Sequence, residues 1–508
     1  MQREDENPVI NASIYTIELR SPLSTWESCL PVDNSYQGWY NCTWDSTGKK
    51  EGYWSIRLNS SKEYFNSNSS LYENWFWLEN IPTIAENVGV YEWNYTSNEW
   101  QKVENRVGWS SRFNFTIDIL DLEGDSVECR LFIKRNSTGI WEYVGSDFIV
   151  GIPGVPTIDS CSVTYQGFEC NDMGINEIMW EIRDAEESNY YNTSSLQLIL
   201  EEADVTLILI TGNNSFVNRT YGSTLFSMRI RDLDRNIYPA NVNVSVFATK
   251  DENSYSFLGI ISSNSTGYLN YNFAPDCSFS AGIQKWKFEV NDSCYKRVSS
   301  EDYITTIYGW LQNTITEPLN GKRYLRGSNV TILGYVNDEC NNFVSVDVIN
   351  IKAKSNQTLQ EFVCEPVIED SLGNYNCTFN TSYPIVMPAR FYNISMYTEK
   401  QYYNPSILTV YNAFFIETKP EIYYVTSYPS GDGGWGETWR FVVNFTDEDL
   451  DTNTITLNLQ RYFGWIQQSV LSSGINVSVM FNYSSFTGQD IGEKEFYITI
   501  QDARGYTD

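Results

Sequence analysis

The chain has 508 residues, 64 acidic against 34 basic side chains, a net charge of −30 and no histidine. The missing histidine excludes Ser-His-Asp and Cys-His catalysis and histidine-bound metals, and the acidity argues against nucleic acid, whose binding needs Lys and Arg on phosphate. No phosphate-binding or dinucleotide fingerprint occurs, and no run of 18 apolar residues is present to span a membrane.

The start, MQREDENP, is polar and does not read as a secretory signal. If the protein is exported, its signal is expected to have been removed or to lie outside this sequence. Residues 1–78 read as strands over 10–19, 39–44 and 53–58. Ile81-Pro82-Thr83-Ile84 then opens a module over 79–153, and the similar Val155-Pro156-Thr157-Ile158 opens a small or partial module over 154–218. Further modules are expected at 219–305, 306–412 and 413–508, the last opening at Lys419-Pro420-Glu421-Ile422. Proline suits such a position because it is tolerated on edge strands and at strand starts.

One unit recurs along these modules. Trp439, Phe441, Val443 and Phe445 alternate with Arg440, Val442, Asn444 and Thr446, the period of a half-buried strand. A polar break at 447–453 follows, and Ile455, Leu457 and Leu459 alternate again. The same strand, acidic turn and strand occur around Asp121-Leu122-Glu123-Gly124-Asp125, Asp232-Leu233-Asp234 and Asn337-Asp338-Glu339. A weaker copy is read at Ile178, Trp180, Ile182 and Asp184. The spacing of roughly 110 residues is that of one β-sandwich rather than a solenoid repeat. The expected class is all-β.

The acidic turns carry the sharpest chemistry. Asp447, Asp449 and Asp451 present oxygens at alternate positions, as calcium loops do, and Asp121, Glu123 and Asp125 are similar. Both lack the glycine and distal glutamate of a full calcium loop, and aspartates also favour turns in their own right. No cofactor is expected apart from structural calcium at these turns.

Sequons and cysteines point to an oxidising, extracellular compartment. Asn-x-Ser/Thr begins at Asn11, Asn41, Asn59, Asn68, Asn94, Asn114, Asn136, Asn192, Asn213, Asn218 and Asn243. It recurs at Asn264, Asn291, Asn329, Asn356, Asn376, Asn380, Asn393, Asn444, Asn476 and Asn482. That is 21 sequons among 49 asparagines, where chance gives about 8. Ten cysteines without a CxxC spacing read as disulfides. Sequence proximity suggests Cys29–Cys42, Cys161–Cys170, Cys277–Cys294 and Cys364–Cys377. Cys340 is left over, and Cys129, in phase with Val127 and Leu131, reads as a buried free thiol.

Gly38-Trp39-Tyr40-Asn41-Cys42 and Gly373-Asn374-Tyr375-Asn376-Cys377 resemble the tyrosine corner of immunoglobulin-like sandwiches. Phe168 replaces the tyrosine before Cys170, and the partner cysteine 13 positions away departs from the antibody pattern. With the proline starts and acidic turns, the chain resembles archaeal cell-surface glycoproteins, including surface-layer and extracellular filament proteins. The resemblance implies tandem immunoglobulin-like β-sandwich domains in an elongated array, a structural role in a homopolymer bearing N-glycans, and no enzyme. A cell-surface adhesin is the alternative, and an accessory region of a secreted enzyme the third reading. Tryptophan crowds the first hundred residues, and Trp75 and Trp77 are its best contact candidates.

Comparing 8–68 with 344–403 shows the same strand, cysteine pair, tyrosine corner and final strand. The later module has an additional strand, 330–336, ahead of this block. The first module therefore reads as lacking its opening strand, through truncation, natural variation or donation of the strand by a neighbouring subunit.

Overall fold

The computed structural model describes residues 12–36, 38–104, 106–185 and 189–508. Among them every long element is a strand, and the two helical turns are three-residue 3₁₀ segments, Cys170–Asp172 and Gly488–Asp490. The alternating sequence translates directly into alternating burial. Phe113, Phe115, Ile117 and Ile119 are all buried on one face of Phe113–Asp121, as are Val127, Cys129, Leu131 and Ile133 on Val127–Lys134. A compact chain of 58.6 kDa exposes about 19,000 Å², whereas this one exposes 27371 Å². The fold is therefore an extended array of small two-sheet units.

Five such units follow one another. In the second, Thr157–Tyr165, Phe113–Asp121, Ile84–Asn94 and Glu99–Lys102 form one sheet. Trp141–Ile149, Val127–Lys134, Gly174–Asp184, Leu196–Glu201 and Arg106–Gly108 form the other, with a parallel last pair. Two facing, mainly antiparallel sheets make this a β-sandwich. The acidic turn crosses from the first sheet to the second. The third unit repeats the plan from Val205–Thr211, the fourth ends with Ser406–Glu417, and the fifth runs from Glu421–Tyr428 to Phe496–Gln501.

Four expected boundaries are corrected, the last because Ser406–Glu417 runs across 412/413 and stays paired with Phe391–Glu399 of the fourth unit. The division between 79–153 and 154–218 cuts through one sandwich, because Thr157–Tyr165 pairs along all of Phe113–Asp121. Val155-Pro156 precedes a late strand, and the 178–184 copy is the second part of Gly174–Asp184, a strand of that same sandwich paired with Val127–Lys134. The third unit opens near 205, not 219, since Val205–Thr211 pairs with Thr224–Asp232. The 305/306 boundary falls inside one strand. Tyr303–Glu317 pairs with Gly282–Val290 of the third unit through its first half and with Asn329–Asp338 of the fourth through its second.

Among the described residues the first unit is half a sandwich. Its sheet Trp26–Ser28, Ile14–Arg20, Gly52–Lys62 and Phe65–Leu78 matches Glu361–Val363, Val348–Ser355, Phe391–Glu399 and Ser406–Glu417 of the fourth unit. Its hairpin Asp33–Tyr36/Trp39–Asn41 matches Ile368–Ser371/Asn374–Asn380. Among the described residues nothing takes the place of Asn329–Asp338 and the strand beside it. The buried apolar core is reduced to Leu19, Cys29 and Trp54, beside a trough of about 430 Å³ lined by Ile17, Trp44, Ile56, Leu58, Tyr72 and Trp75. Phe65–Leu78 is the unit's last strand and does not fill that place.

The disulfides are Cys29–Cys42, Cys129–Cys161, Cys170–Cys294, Cys277–Cys340 and Cys364–Cys377. Two expected pairs, Cys161–Cys170 and Cys277–Cys294, are replaced, and neither Cys129 nor Cys340 is free. Cys129 and Cys161 face each other across the core of the second sandwich from opposite sheets. Cys170–Cys294 joins the second unit to the third, and Cys277–Cys340 joins the third to the fourth.

Candidate functional site

The acidic turns lie at the four joints between units, where they share two kinds of contact. In three of them the first acid caps its own turn. Asp121 accepts the N–H groups of Glu123 and Asp125 at 3.1 and 2.9 Å. Asp232 accepts those of Asp234 and Arg235, both at 2.9 Å, and Asp338 those of Cys340 and Asn342, both at 2.9 Å. In all four the second acid reaches back to the chain that leads into the module. Glu123 accepts the Ile81 N–H at 3.0 Å, Asp234 that of Asp204 at 2.9 Å, Glu339 that of Trp310 at 2.8 Å and Asp449 that of Thr418 at 3.0 Å. A carboxylate holding a backbone donor is a strong, charge-assisted bond. The turn is thus a clasp on the linker, which explains why acids recur at this spacing.

Each joint closes differently on the preceding unit. At the first, Lys50 pairs with Asp125 at 2.5 Å. At the second, the Trp109 indole donates to the Cys294 carbonyl at 2.7 Å, and the Arg235 guanidinium stacks on that indole at 4.2 Å. At the third, Arg219 is buried between two carboxylates, 2.7 Å from Asp338 and 2.6 Å from Glu339, and donates to the Phe279 carbonyl at 3.0 Å. At the fourth, Arg326 pairs with Glu448, which also accepts the Ala389 N–H at 3.0 Å.

Burial raises carboxyl groups here. Desolvation pushes Glu123 up to about 7, and Asp234 likewise to about 7. Asp447 rises to about 7 by desolvation and through a shared bond with Asp449. Burial also raises Asp232. At the Arg219 joint the buried guanidinium is held charged by its two carboxylates.

The six acids expected to ligate calcium all sit at joints: Glu123 and Asp449 clasp linkers, Asp121 caps its turn, Asp125 pairs with Lys50, and Asp447 and Asp451 lie in the last turn. Among the described residues no three acidic or cysteine side chains gather into one metal cage. Asp447 receives the Asn453 amide at 2.7 Å and the Thr418 hydroxyl at 3.3 Å, and Asp449 also receives the Asp451 N–H at 3.1 Å. Glu123 has no exposed surface and one oxygen without a donor. The clasps were missed because a bond from a turn to a distant linker has no local sequence signal, although the turns themselves were visible.

The other sequence-level residues place as follows. Asn11 lies outside the described residues, and none of the other 20 sequon asparagines is buried. The buried asparagines, Asn176, Asn453 and Asn458, open no sequon. Tyr40 and Tyr375 accept the N–H groups of Ala12 and Val346 through their hydroxyls, at 2.5 and 2.8 Å. Trp75 and Trp77 are 61% and 54% exposed on the last strand of the first unit, against Tyr72 and Tyr53.

No family model matches the chain, and no curated protein matches it. Among solved structures it is similar to a tetra-tandem repeat from the extending region of a large adhesion protein, at 12% identity and a TM-score of 0.36, covering 79% of this chain and 94% of that one. It is also similar to a Ca2+-stabilized adhesin with which an Antarctic bacterium binds ice, at 13% identity and a TM-score of 0.23, covering 78% and 91%. A third is from a 1.5-MDa bacterial ice-binding adhesin, at 10% identity and a TM-score of 0.26, covering 67% and 100%. At these TM-scores the chains do not superpose as wholes. The class is fixed by the strand order above: an all-β chain of tandem two-sheet modules with clasped joints.

Proposed function

We propose that the protein is a non-catalytic, extracellular, N-glycosylated structural protein, a stiff spacer that assembles with its own copies into a cell-surface filament or surface layer. The observation that carries this is the joint. Ordinary linkers leave neighbouring domains free to move, whereas here every linker is clasped, one arginine is buried between units and two disulfides cross between modules. A chain selected for reach and stiffness needs such joints, and an enzyme does not. The five disulfides suit an oxidising compartment, and sequons on accessible positions suit glycans.

A second reading, an adhesin stalk, is favoured by the exposed Trp75 and Trp77, of which Trp75 lines the apolar trough of the first unit. Micrographs of the purified protein separate the two. Ordered polymers support the filament or layer subunit, while monomeric rods of constant length support the stalk. Flexible strings of beads would overturn the stiff-spacer reading in both forms.

A further inference from the structure

The four joints are variants of one design, so they can be compared atom for atom. In the joint between the third and fourth units, Asp338 uses one oxygen to cap its turn and Glu339 uses one to hold the Trp310 N–H. The remaining oxygen of each is taken by Arg219, which bridges the pair through Nη2 and Nε. In the joint between the second and third units, Asp232 caps the turn and Asp234 holds the Asp204 N–H in the same roles. There the second oxygen of Asp232, in a residue with no exposed surface, has no donor at all. In the joint between the first and second units, Glu123 holds the Ile81 N–H, and its other oxygen is likewise buried and without a donor. Each of the two oxygens that Arg219 contacts thus has one bare counterpart, that of Asp338 in Asp232 and that of Glu339 in Glu123.

Nearby cations make no bond to these oxygens, although the Arg235 charge lies close enough to act on Asp232. Arg235 directs Nε and Nη2 to the carbonyls of Ser110 and Phe168. Lys50 pairs with Asp125. A buried carboxylate oxygen without a partner is costly, and a positive charge at the Arg219 position removes that cost.

We propose that these two joints bind a divalent cation of the calcium type where the fourth unit's joint uses the guanidinium of Arg219. Hard oxygen donors suit that ion, and calcium tolerates the irregular set offered here, with two carboxylates, the Ser110 or Thr83 hydroxyl and water completing its shell. Ser110 donates to Asp232 at 3.2 Å and Thr83 to Asp121 at 2.9 Å, so both hydroxyls already stand beside the carboxylates. At the last joint Asp447 and Asp449 have donors on their oxygens, and no site is assigned there.

The test uses the full chain, freed of metal with chelator and titrated with Ca2+ at physiological ionic strength by equilibrium dialysis, with melting followed in parallel. Asp234→Asn and Glu123→Gln keep the acceptor that clasps the linker while removing the charge, and each is expected to bind one equivalent fewer than the parent chain. Arg219→Gln opens the equivalent slot in the third joint. It is expected to bind one equivalent more and to recover with Ca2+ the melting temperature it loses in chelator. Unchanged binding in both isosteric variants overturns the proposal, as does a parent chain whose melting is indifferent to Ca2+. Unchanged binding in one variant overturns it for that joint.

Discussion

Truncating Arg219 to alanine tests the joint energetics most directly. The side chain is 4% exposed, and its partners Asp338 and Glu339 are 3% and 2% exposed. Alanine leaves two carboxylates buried side by side with no countercharge, and it strips a third bond from the Phe279 carbonyl. Breaking a buried ion pair from one side costs about 3–5 kcal/mol, because the remaining charge is left uncompensated. The array does not unfold as a single two-state unit, so the loss must be read locally. Hydrogen exchange at the Trp310 amide, which donates to Glu339, reports opening of this clasp. In metal-free buffer its protection is expected to fall by at least a hundredfold, the equivalent of about 3 kcal/mol. Cys277–Cys340 keeps the two units tethered, so the clasp opens without separation of the modules. A change below about threefold would refute the view that the guanidinium neutralises this joint.

Other outcomes follow from the same geometry. Glu123 has its carboxyl raised to about 7 against an ordinary 4.5, so its contribution to stability falls as the pH rises from about 4.5 to about 7. Glu123→Gln in chelator is therefore expected to melt above the parent at pH 8 and level with it at pH 4, and a pH-independent difference would contradict the assignment. Replacing Cys29 and Cys42 by serine opens a short loop worth about 2–4 kcal/mol in the unit with the smallest core. Proteolysis of that variant is expected to begin before residue 78, and initial cleavage in the fourth unit instead would contradict it. Non-reducing peptide maps should recover Cys170 with Cys294 and Cys277 with Cys340, pairs that rule out independently rotating units. Glycopeptide mass spectrometry is expected to find sugar on most of the accessible sequons, and occupancy of fewer than about five would remove the extracellular reading.

Much of the fold is written in period-two patterns, because a sandwich strand has one wet and one dry face. The strand, acidic turn and strand unit was legible for that reason, and so were Cys29–Cys42 and Cys364–Cys377 as candidate pairs, each close in sequence and inside one unit. Cys161 was misread by proximity to Cys170. The usable signal was phase, since Cys161 alternates with the buried Val163 just as Cys129 does with Leu131. The pairs across joints had no such signal, because they depend on how one sandwich seats on the next. Val155-Pro156-Thr157 imitates the opening of a unit, while the opening at Val205 carries no proline, so composition placed two boundaries wrongly. The acids of the joints were legible as a group, but their roles were not. Which oxygen holds a linker and which is left bare is decided by backbone atoms dozens of residues away.

The two disulfides that cross joints also interlace along the chain, and this sets what happens when the ends are pulled apart. Cys277 lies inside the loop closed by Cys170–Cys294, and Cys294 lies inside the loop closed by Cys277–Cys340. Tension arriving at residue 170 passes through sulfur to 294, runs back 17 residues to 277 and leaves through sulfur at 340. Even with the third unit's sheets torn open, this stretch pays out about 60 Å of backbone, where 170 free residues would pay out nearly 600 Å. The middle of the array therefore has a covalent stop. Stretching under load is confined to the units at either end, whose cysteine pairs, where present, lie within a single sandwich.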